Sequence, residues 1–277
     1  MRQIHQTRTL LLLLLPGLLF IIIFFFAPLI FVLTESIVAE DGGGLSFAGY
    51  SDFFTRSTSI RIYWRTLRIG VIVTLFAIAL GYPASYLLSR MPVGRRTFLM
   101  SLVILPLMTN PVARTYAWLI ILGRFGLVSK TLMWLGISEE PVRLLFTETA
   151  IILGLVQLFL PLMVLALVSA LENIPDDVVE AARSLGAGGF TAFSRVIVPL
   201  SADGLVLGGT LVFTGAITAY VTPAILGGPR LLVLSTLLQQ RALVAADWTG
   251  ATVVAVVMLI TALIVNMLLR RFRPEVL

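Results

Sequence analysis

The sequence predicts an all-α membrane protein with six transmembrane helices. Its 277 residues are 58% hydrophobic and only 12% charged, whereas a soluble domain carries about 25% charged residues. The mean hydropathy is +1.03, and the sequence has no long polar stretch from which a separate soluble domain could be built. Together with six long apolar segments, these observations indicate a chain that crosses the membrane several times.

The six apolar segments are each long enough to cross the hydrocarbon core, which takes about 20 mostly apolar residues in a helix. They are Leu10–Leu33, Trp64–Leu88, Phe98–Leu122, Thr149–Leu171, Gly204–Leu226 and Gly250–Leu269. The first follows Arg2 and Arg8 and has the leucine content of a secretory signal peptide. Its apolar run exceeds the roughly 7–15-residue core of a signal peptide, and no small-x-small cleavage site follows. We therefore expect a retained signal-anchor helix.

The distribution of basic residues predicts the orientation, since cytoplasmic loops are enriched in arginine and lysine. With the N-terminus inside, ten basic residues fall in the inner segments and seven in the outer ones: 1–9, 89–97, 172–203 and 270–277 inside, and 34–63, 123–148 and 227–249 outside. An even number of spans places both termini in the cytoplasm. The loop between spans 4 and 5 is then cytoplasmic as well.

That long polar loop predicts a docking surface. Asp176 and Asp177 follow Pro175 at the start of a short helix, where proline suits the first helical position and acids suit the positive end of the helix dipole. Gly186 fits the left-handed position that ends a helix. Residues spaced i, i+3, i+4 and i+7 make one apolar face, which consists of Val178, Ala181, Ala182 and Leu185.

A second amphipathic turn follows the glycine pair at positions 188 and 189. It contains Phe190, Phe193, Val196 and Ile197, and Pro199 is expected to end it before the fifth span. Two short helices joined at glycine form a compact knob that fits a groove in a partner protein. The alternative is an amphipathic helix lying on the membrane surface, which the acidic residues of the loop disfavour.

The loop resembles the signature cytoplasmic loop of ABC-importer permease subunits, in which Glu-Ala-Ala is followed by three residues, Gly, nine residues and Ile-x-Leu-Pro. The matching residues are Glu180, Ala181, Ala182, Gly186 and Pro199, with Val196 and Val198 in place of the Ile and Leu. Stretches at 113–118, 160–161 and 220–229 are similar to the spermidine/putrescine-type branch of this family. The similarity covers about residues 60–270.

The resemblance implies a type I ABC-importer permease fold with a cytoplasmic coupling helix between spans 4 and 5. Such a subunit lies in the bacterial inner membrane, pairs with a homologous permease (usually as a heterodimer), binds two copies of a cytoplasmic ABC ATPase and receives solute from a periplasmic binding protein. It is not an enzyme and binds no cofactor, because ATP and Mg²⁺ belong to the ATPase. The residues assigned to ATPase coupling are Glu180, Ala181, Ala182, Arg183, Leu185, Gly186 and Pro199.

The chain accordingly divides into an anchor helix, an outer loop, a core and a tail. The expected bounds are 1–33 for the signal-anchor helix, 34–63 for a periplasmic loop, 64–270 for the core permease domain with its coupling loop at 172–200, and 271–277 for a cytoplasmic tail.

Polar residues within the predicted spans are candidates for a solute path, namely Asn110, Arg114, Tyr116, Gln157, Thr218, Tyr220 and Thr222. Asn110 and Arg114 lie beside prolines that loosen the third span, and a charge inside a membrane usually marks a pathway. Alternatively, Arg114 extends to the outer headgroups and the other residues form interhelical hydrogen bonds. Arg61, Arg65 and Arg68 form a basic stripe that either anchors the second span in lipid headgroups or docks an acidic binding protein.

Composition disfavours several other function classes. Cysteine is absent and the sole histidine is His5, which argues against disulfides, an imidazole metal site or a His-based triad. The only lysine is Lys130, and no G-x-x-x-x-G-K-[ST] phosphate loop occurs, so we do not expect the chain itself to hydrolyse ATP. The net charge of +6 does not indicate nucleic acid, because the basic residues are scattered at span ends.

The branch resemblance suggests a small polar solute such as a polyamine, an amino-acid derivative or an opine. Glu35, Glu148 and Asp203 are the only acids near span ends, and the deeper Arg114 suits an anionic or zwitterionic solute. Two other interpretations stay open. One is an ion-coupled secondary transporter, which would need coupling acids or matched broken helices. The other is a membrane scaffold or receptor that uses the loop only to bind a partner.

Overall fold

The computed structural model describes residues 13–38 and 44–271, where the regular structure is helical apart from one isolated antiparallel bridge between Val38 and Leu45. The helices are α1 (Leu13–Glu35), α2 (Ala48–Thr55), α3 (Ser57–Ser89), α4 (Val93–Ile104), α5 (Pro111–Ile121), α6 (Leu127–Trp134), α7 (Glu148–Glu172), α8 (Asp176–Ser184), α9 (Gly189–Leu200), α10 (Ala202–Thr218), α11 (Val221–Leu226), α12 (Leu234–Gln239) and α13 (Trp248–Arg270). By length and hydropathy, α1, α3, α7 and α13 could each cross a membrane. The number rises to six if two bent pairs, α4 with α5 and α9 with α10, each count as one span.

The second, fourth and sixth predicted spans are continuous helices. They correspond to α3, α7 and α13, of which α3 begins well before the predicted Trp64, at Ser57. The first predicted span corresponds to α1 from Leu13 onward, and positions 10–12 lie outside the described residues.

The third predicted span, Phe98–Leu122, is wrong as a single helix. α4 continues as a 3₁₀ turn over Leu105–Met108 and meets α5 at an angle of 94°. Thr109 between them is extended, with φ −83° and ψ 148°. Pro111 begins α5, where its missing N–H costs no helical hydrogen bond. The prolines expected to loosen this span, Pro106 and Pro111, do flank the break. Proline alone did not show that the helix ends there, because Pro83 lies inside α3 without interrupting it.

The fifth predicted span, Gly204–Leu226, is also interrupted. α10 ends at Thr218, and Ala219 leaves the helical region with φ −58° and ψ 128° before α11 begins. The Ser235 hydroxyl donates a hydrogen bond to the Ala219 carbonyl at 2.7 Å. Irregular backbone at membrane depth is tolerated only where protein or water satisfies its polar groups, and Ser235 does so here.

The described residues of 61–237 and 260–277 form one compact unit around α7. Its core includes side chains of α7 that are completely buried, namely Ile151, Leu155, Met163 and Leu167. α10 packs closely against α7 because Gly204 and Gly208 have no side chain. A Cβ at Gly204 would lie 2.5 Å from the Ala170 Cβ, and one at Gly208 would lie 2.6 Å from the Met163 sulfur. This is the small-residue packing that membrane helices favour.

The described residues of 1–60 and 238–259 form a second unit. Phe53 of α2 is completely buried, and the Tyr50 hydroxyl donates to the Ser36 hydroxyl at 2.7 Å. Gly49 lets α2 approach the Val253 side chain of α13 closely. None of the apolar window of α1 is buried by the chain, so its surface is available to lipid or to another subunit.

Candidate functional site

The loop between α7 and α10 forms two helices, α8 and α9. Asp176 and Asp177 occupy the first turn of α8, near the positive end of its dipole. Pro175 was expected at the first helical position, but its ψ of 141° places it at the N-cap, so this detail of the prediction is wrong.

A Schellman cap at Gly186 ends α8. The φ of Gly186 is +86°, in the left-handed region predicted for it. The N–H of Gly186 donates to the Arg183 carbonyl at 2.9 Å, and the N–H of Ala187 donates to the Ala182 carbonyl at 3.1 Å. This pair of bonds satisfies carbonyls that the helix end would otherwise leave open. The cap fixes the direction in which the chain leaves α8.

The apolar face predicted for α8 points away from the rest of the chain. Val178 is 39% exposed and Leu185 is 89% exposed. Val179, which was not assigned to that face, is buried and only 8% exposed. Of the residues assigned to coupling, Ala182 is half-buried and the others are exposed: Glu180, Ala181, Arg183, Leu185, Gly186 and Pro199. α8 therefore packs on its own chain through Val179 and presents the predicted face outward.

Ion pairs hold the loop at its start. Arg90, just beyond the end of α3, forms an ion pair with Asp176. Arg96 of α4 pairs with Glu172 at the end of α7, with Nε 3.2 Å from Oε1. Ile174, between these acids, is buried, with only 6% of its surface exposed. Two basic residues near the α3–α4 connection thus anchor the chain just before and at the first turn of α8.

The far end of the loop is a sharp corner. α9 contains a π-helical segment, Phe193–Ile197, and meets α10 at 67°. Pro199 was expected to end α9, and the helix in fact ends one residue later, at Leu200. Ser201 lies at the corner and is completely buried, with its Oγ 2.6 Å from the hydroxyl oxygen of Tyr82 on α3.

Aromatic contacts complete the attachment to α3. The Phe193 ring makes edge contacts with the Tyr82 ring at 5.3 Å and with the Tyr86 ring at 5.8 Å between centroids. The Arg90 guanidinium lies 5.7 Å from the Tyr86 ring centroid. Tyr82 and Tyr86 are spaced four apart and so share one face of α3, and Arg90 follows just beyond the end of that helix. Together these three residues contact the loop at Asp176, Phe193 and Ser201.

Two candidate path residues stabilise the break between α4 and α5. Asn110 caps α5, since its Oδ1 accepts a hydrogen bond from the Val112 N–H at 2.8 Å. Arg114 reaches back across the break and donates to the Pro106 carbonyl at 2.7 Å. Among the described residues no carboxylate lies within 4 Å of the Arg114 guanidinium, so its charge is not neutralised by an ion pair there.

Two other candidates form hydrogen bonds between helices. The Gln157 Oε1 of α7 accepts from the Trp118 indole of α5 at 3.3 Å. Thr222 of α11 is only 4% exposed, and its hydroxyl lies 3.3 Å from that of Thr115 on α5. These bonds tie α5 to both neighbours, which is the alternative role that the sequence left open for such residues.

The remaining candidates, Tyr116, Thr218 and Tyr220, have exposed side chains. Thr218 donates to the Thr214 carbonyl at 2.7 Å. Thr218 and Tyr220 flank Ala219, the residue at which α10 ends, so both lie at the break in the fifth predicted span. Their exposure leaves them available to a solute or to a second subunit.

Two arginines of the basic stripe predicted on α3 form ion pairs within the chain. The Arg65 Nε lies 3.2 Å from Glu148 Oε1, and its Nη1 donates to the Leu232 carbonyl at 3.0 Å. Arg68 also pairs with Glu148. Arg65 therefore joins α3 to α7 and to the segment before α12, a role included in neither expectation for the stripe.

The pair formed by Tyr82 and Ser201 was missed by sequence reasoning. The two residues lie 119 positions apart, and no local motif connects them. The only signal was general: both are polar residues at the same end of neighbouring apolar spans, and buried polar groups need partners.

The chain is similar in sequence to permease subunits of known importers. Residues 77–276 match the family described as binding-protein-dependent transport system inner membrane component. The spermidine/putrescine transport system permease protein PotB of Haemophilus influenzae is 33% identical over 234 residues, which cover 83% of this chain and 82% of that protein. PotB of Escherichia coli is 32% identical over 223 residues, which cover 79% and 81%.

The fold is also found in a solved importer. A chain of a bacterial ABC transporter involved in the import of the acidic polysaccharide alginate matches with a TM-score of 0.81, covering 99% of this chain and 98% of that chain. At 18% identity this likeness shows the fold alone. The family match spans the loop between α7 and α10, the corner at Ser201 and the broken helices. This chain therefore belongs to the family of binding-protein-dependent transport system inner membrane components, and it is the non-catalytic permease subunit of an ABC importer.

Proposed function

We propose that this permease moves a small polyamine-like solute into the cell and that α8 couples the movement to a cytoplasmic ATPase. The coupling role rests on one observation: the apolar face of α8 is exposed at Val178 and Leu185, while the adjacent Val179 is buried against the rest of the chain. Exposed apolar side chains gathered on one face mark an interaction site more often than scattered ones do. Because α8 is capped at Gly186 and oriented by the ion pair at Asp176, this surface has a fixed direction and can receive a push from a partner.

The proposed assembly contains a second, homologous permease and two ATPase copies. In it, α10 counts as one span and the bent pair of α4 and α5 as another, which gives six spans with both termini in the cytoplasm and leaves α8 and α9 in the cytoplasmic loop. Apolar side chains on α4 and α5 support a second subunit, since Phe98, Leu105 and Ile120 are 65%, 58% and 72% exposed. These exposed side chains, together with membership of the family, support a pair of permease subunits.

The opposite end of α7 carries a basic cavity. α7 has 25 residues, which span about 37 Å at a rise of 1.5 Å per residue. At its N-terminal end lies a cavity of about 670 Å³ with Leu145 and Phe146 in its lining, and with Arg124, Arg143 and Arg230 around it. All three arginines are exposed, and no carboxylate among the described residues lies within 4 Å of any of them. With α8 inside, this cavity faces the periplasm and suits an acidic surface of the binding protein.

The solute is proposed from the relatives, because PotB proteins at 32–33% identity are named for spermidine and putrescine. A second candidate is a solute with a carboxylate, such as an amino-acid derivative or opine, and the unpaired guanidinium of Arg114 favours it. Competition separates the two: uptake of radiolabelled spermidine should be inhibited by excess putrescine and unaffected by an excess of an opine. Inhibition by an excess of an opine, with no effect of excess putrescine, would favour the second candidate.

Purification of the complex tests the coupling role directly. An affinity-tagged chain should bring down an ATPase, and spermidine uptake into vesicles should require ATP and persist without an ion gradient. Glu180→Lys should weaken ATPase recovery, because it reverses a charge on the exposed side of α8, whereas Glu180→Gln should retain most of it. Uptake driven by an imposed ion gradient without ATP would establish a secondary transporter. Recovery of an ATPase without any solute uptake would instead favour a scaffold.

A further inference from the structure

The joint between the coupling loop and α10 has two weak points in its backbone, the last turn of α9 at Pro199 and the π-helical turn before it. Pro199 has no N–H to donate to the Arg195 carbonyl, so the last turn of α9 lacks one helical hydrogen bond. The preceding turn is already π-helical, and the chain then bends by 67° around Ser201. Helices bend most readily at such interruptions. A push on α8 would therefore bend this joint before it moved α10, unless side chains made the joint stiff.

One hydrogen bond from α3 lies directly at this joint. The Ser201 hydroxyl has a single proton, which it donates to the Val198 carbonyl at 3.2 Å. Both contacts are satisfied together when the Tyr82 hydroxyl, at 2.6 Å, donates to the Ser201 oxygen. Tyr82 is only 6% exposed and Ser201 is completely buried, so water does not compete for this bond. The linked bonds connect α3 to the corner and to the last turn of α9.

The aromatic contact of the same tyrosine covers the other weak point. Phe193 opens the π-helical segment, and its ring packs against Tyr82 and Tyr86. Both interruptions of the backbone are thus held against the same face of α3. From Ser201, α10 runs without interruption to Thr218, beside the break that carries the exposed path candidates.

We propose that Tyr82 is a positioning residue for transport: its hydrogen bond to Ser201 stiffens the joint, so that a push on α8 displaces α10 and α3 together. This inference rests on the proposed coupling role of α8. Without the bond, the joint bends, and part of each ATP-driven stroke is lost before it reaches α10. Tyr82 then determines how much solute moves per ATP hydrolysed and has little influence on ATPase binding.

The test measures the coupling ratio, which is solute transported per ATP hydrolysed, in proteoliposomes of the complete complex with binding protein and radiolabelled spermidine. Tyr82→Phe removes the hydroxyl and keeps the ring against Phe193. Tyr86→Phe is the matched control, because the Tyr86 ring makes the same kind of contact and its hydroxyl forms no hydrogen bond with the described residues. We expect Tyr82→Phe to lower the coupling ratio about five-fold, the weight of one hydrogen bond in a two-state equilibrium. Stimulated ATP hydrolysis should stay within about two-fold of the wild type.

A second variant approaches the same bond from its other side. Ser201→Ala should lower the coupling ratio to a similar extent, and the double variant should be no worse than either single one, because all three remove one interaction. Additive losses would overturn the inference. Equal coupling ratios for Tyr82→Phe, Tyr86→Phe and wild type would also overturn it, as would transport and hydrolysis falling in parallel or loss of assembly in both single variants. Failure of the proposed function looks different, because the wild-type complex itself would then show no ATP-dependent uptake.

Discussion

The carboxylate of Asp176, the first residue of α8, forms an ion pair with the guanidinium of Arg90, just beyond the end of α3. Asp176 is 77% exposed and Arg90 is 28% exposed. Exposed pairs of this kind contribute about 0.2–1 kcal/mol, because water screens them and ordering the side chains costs entropy. The contact therefore orients α8 more than it stabilises the protein.

Removal of this charge should have a small, salt-dependent effect. Asp176→Asn is expected to lower the free energy of unfolding in detergent by no more than ~1 kcal/mol. Thermal unfolding followed by size-exclusion chromatography measures the loss, and the difference from wild type should shrink in 1 M salt because screening weakens exposed pairs. A loss of several kcal/mol, or one unaffected by salt, would show that the pair does more than orient α8.

Substitution at Gly186 should act through backbone strain alone. An added Cβ meets nothing within 4 Å, but φ is +86°, so a β-branched residue is expected to cost about 1–3 kcal/mol in this conformation. Gly186→Val should therefore distort the end of α8 and reduce ATPase recovery while membrane insertion stays normal. Gly186→Asn is the control, because asparagine tolerates left-handed backbone. Equal recovery with both variants would rule out the cap as a requirement for docking.

Glu148 should contribute far more to stability than an exposed acid does. It pairs with Arg65, which is only 17% exposed, and with Arg68. Glu148→Gln leaves the largely buried Arg65 without a carboxylate and is expected to cost about 1–3 kcal/mol. Asp52→Asn removes an exposed i,i+4 pair with Arg56 and should cost less than ~0.5 kcal/mol. Thermal midpoints of the two variants in detergent should differ accordingly, and equal midpoints would contradict the assignment.

The basic cavity predicts a charge-dependent response to the binding protein. Arg143→Glu should reduce stimulation of ATP hydrolysis by the solute-loaded binding protein several-fold and leave basal hydrolysis unchanged, because the cavity lies at the end of α7 opposite the coupling loop. Lys130→Glu changes the same charge at an exposed site on α6 outside the cavity and serves as the control. Stimulation that is equal in both variants would exclude the cavity from the docking surface.

The sequence predicted those features that depend on local patterns. The glycine that ends α8, the acids in its first turn and the continuous helices α3, α7 and α13 follow from spacing and hydropathy. Hydropathy did not reveal the breaks at Thr109 and Ala219, because a bent apolar segment has the same composition as a straight one. The Ser235 bond that satisfies Ala219 joins residues distant in sequence, as does the Tyr82–Ser201 bond, and single-sequence patterns carry no such pairing.

The face of α8 shows the same limit in a different way. Its apolar spacing predicted an apolar side correctly, but spacing alone did not say whether that side packs inward or outward. Val179, outside the predicted face, makes the internal contact, and Leu185 is left 89% exposed. The direction of an amphipathic helix depends on its attachment points, here Asp176 and Ser201.

One measurement tests most directly whether α8 is a cytoplasmic docking element. The natural chain has no cysteine, so Leu185→Cys provides a single reactive thiol on the outward face of α8. A membrane-impermeant maleimide should label it in inverted vesicles stripped of ATPase, and rebinding of the ATPase should protect it. Ile137→Cys, which is 69% exposed in a predicted outer segment, should be labelled only from the periplasmic side. Labelling of Leu185→Cys in intact spheroplasts, or labelling that is unchanged by the ATPase, would contradict a cytoplasmic docking role for α8.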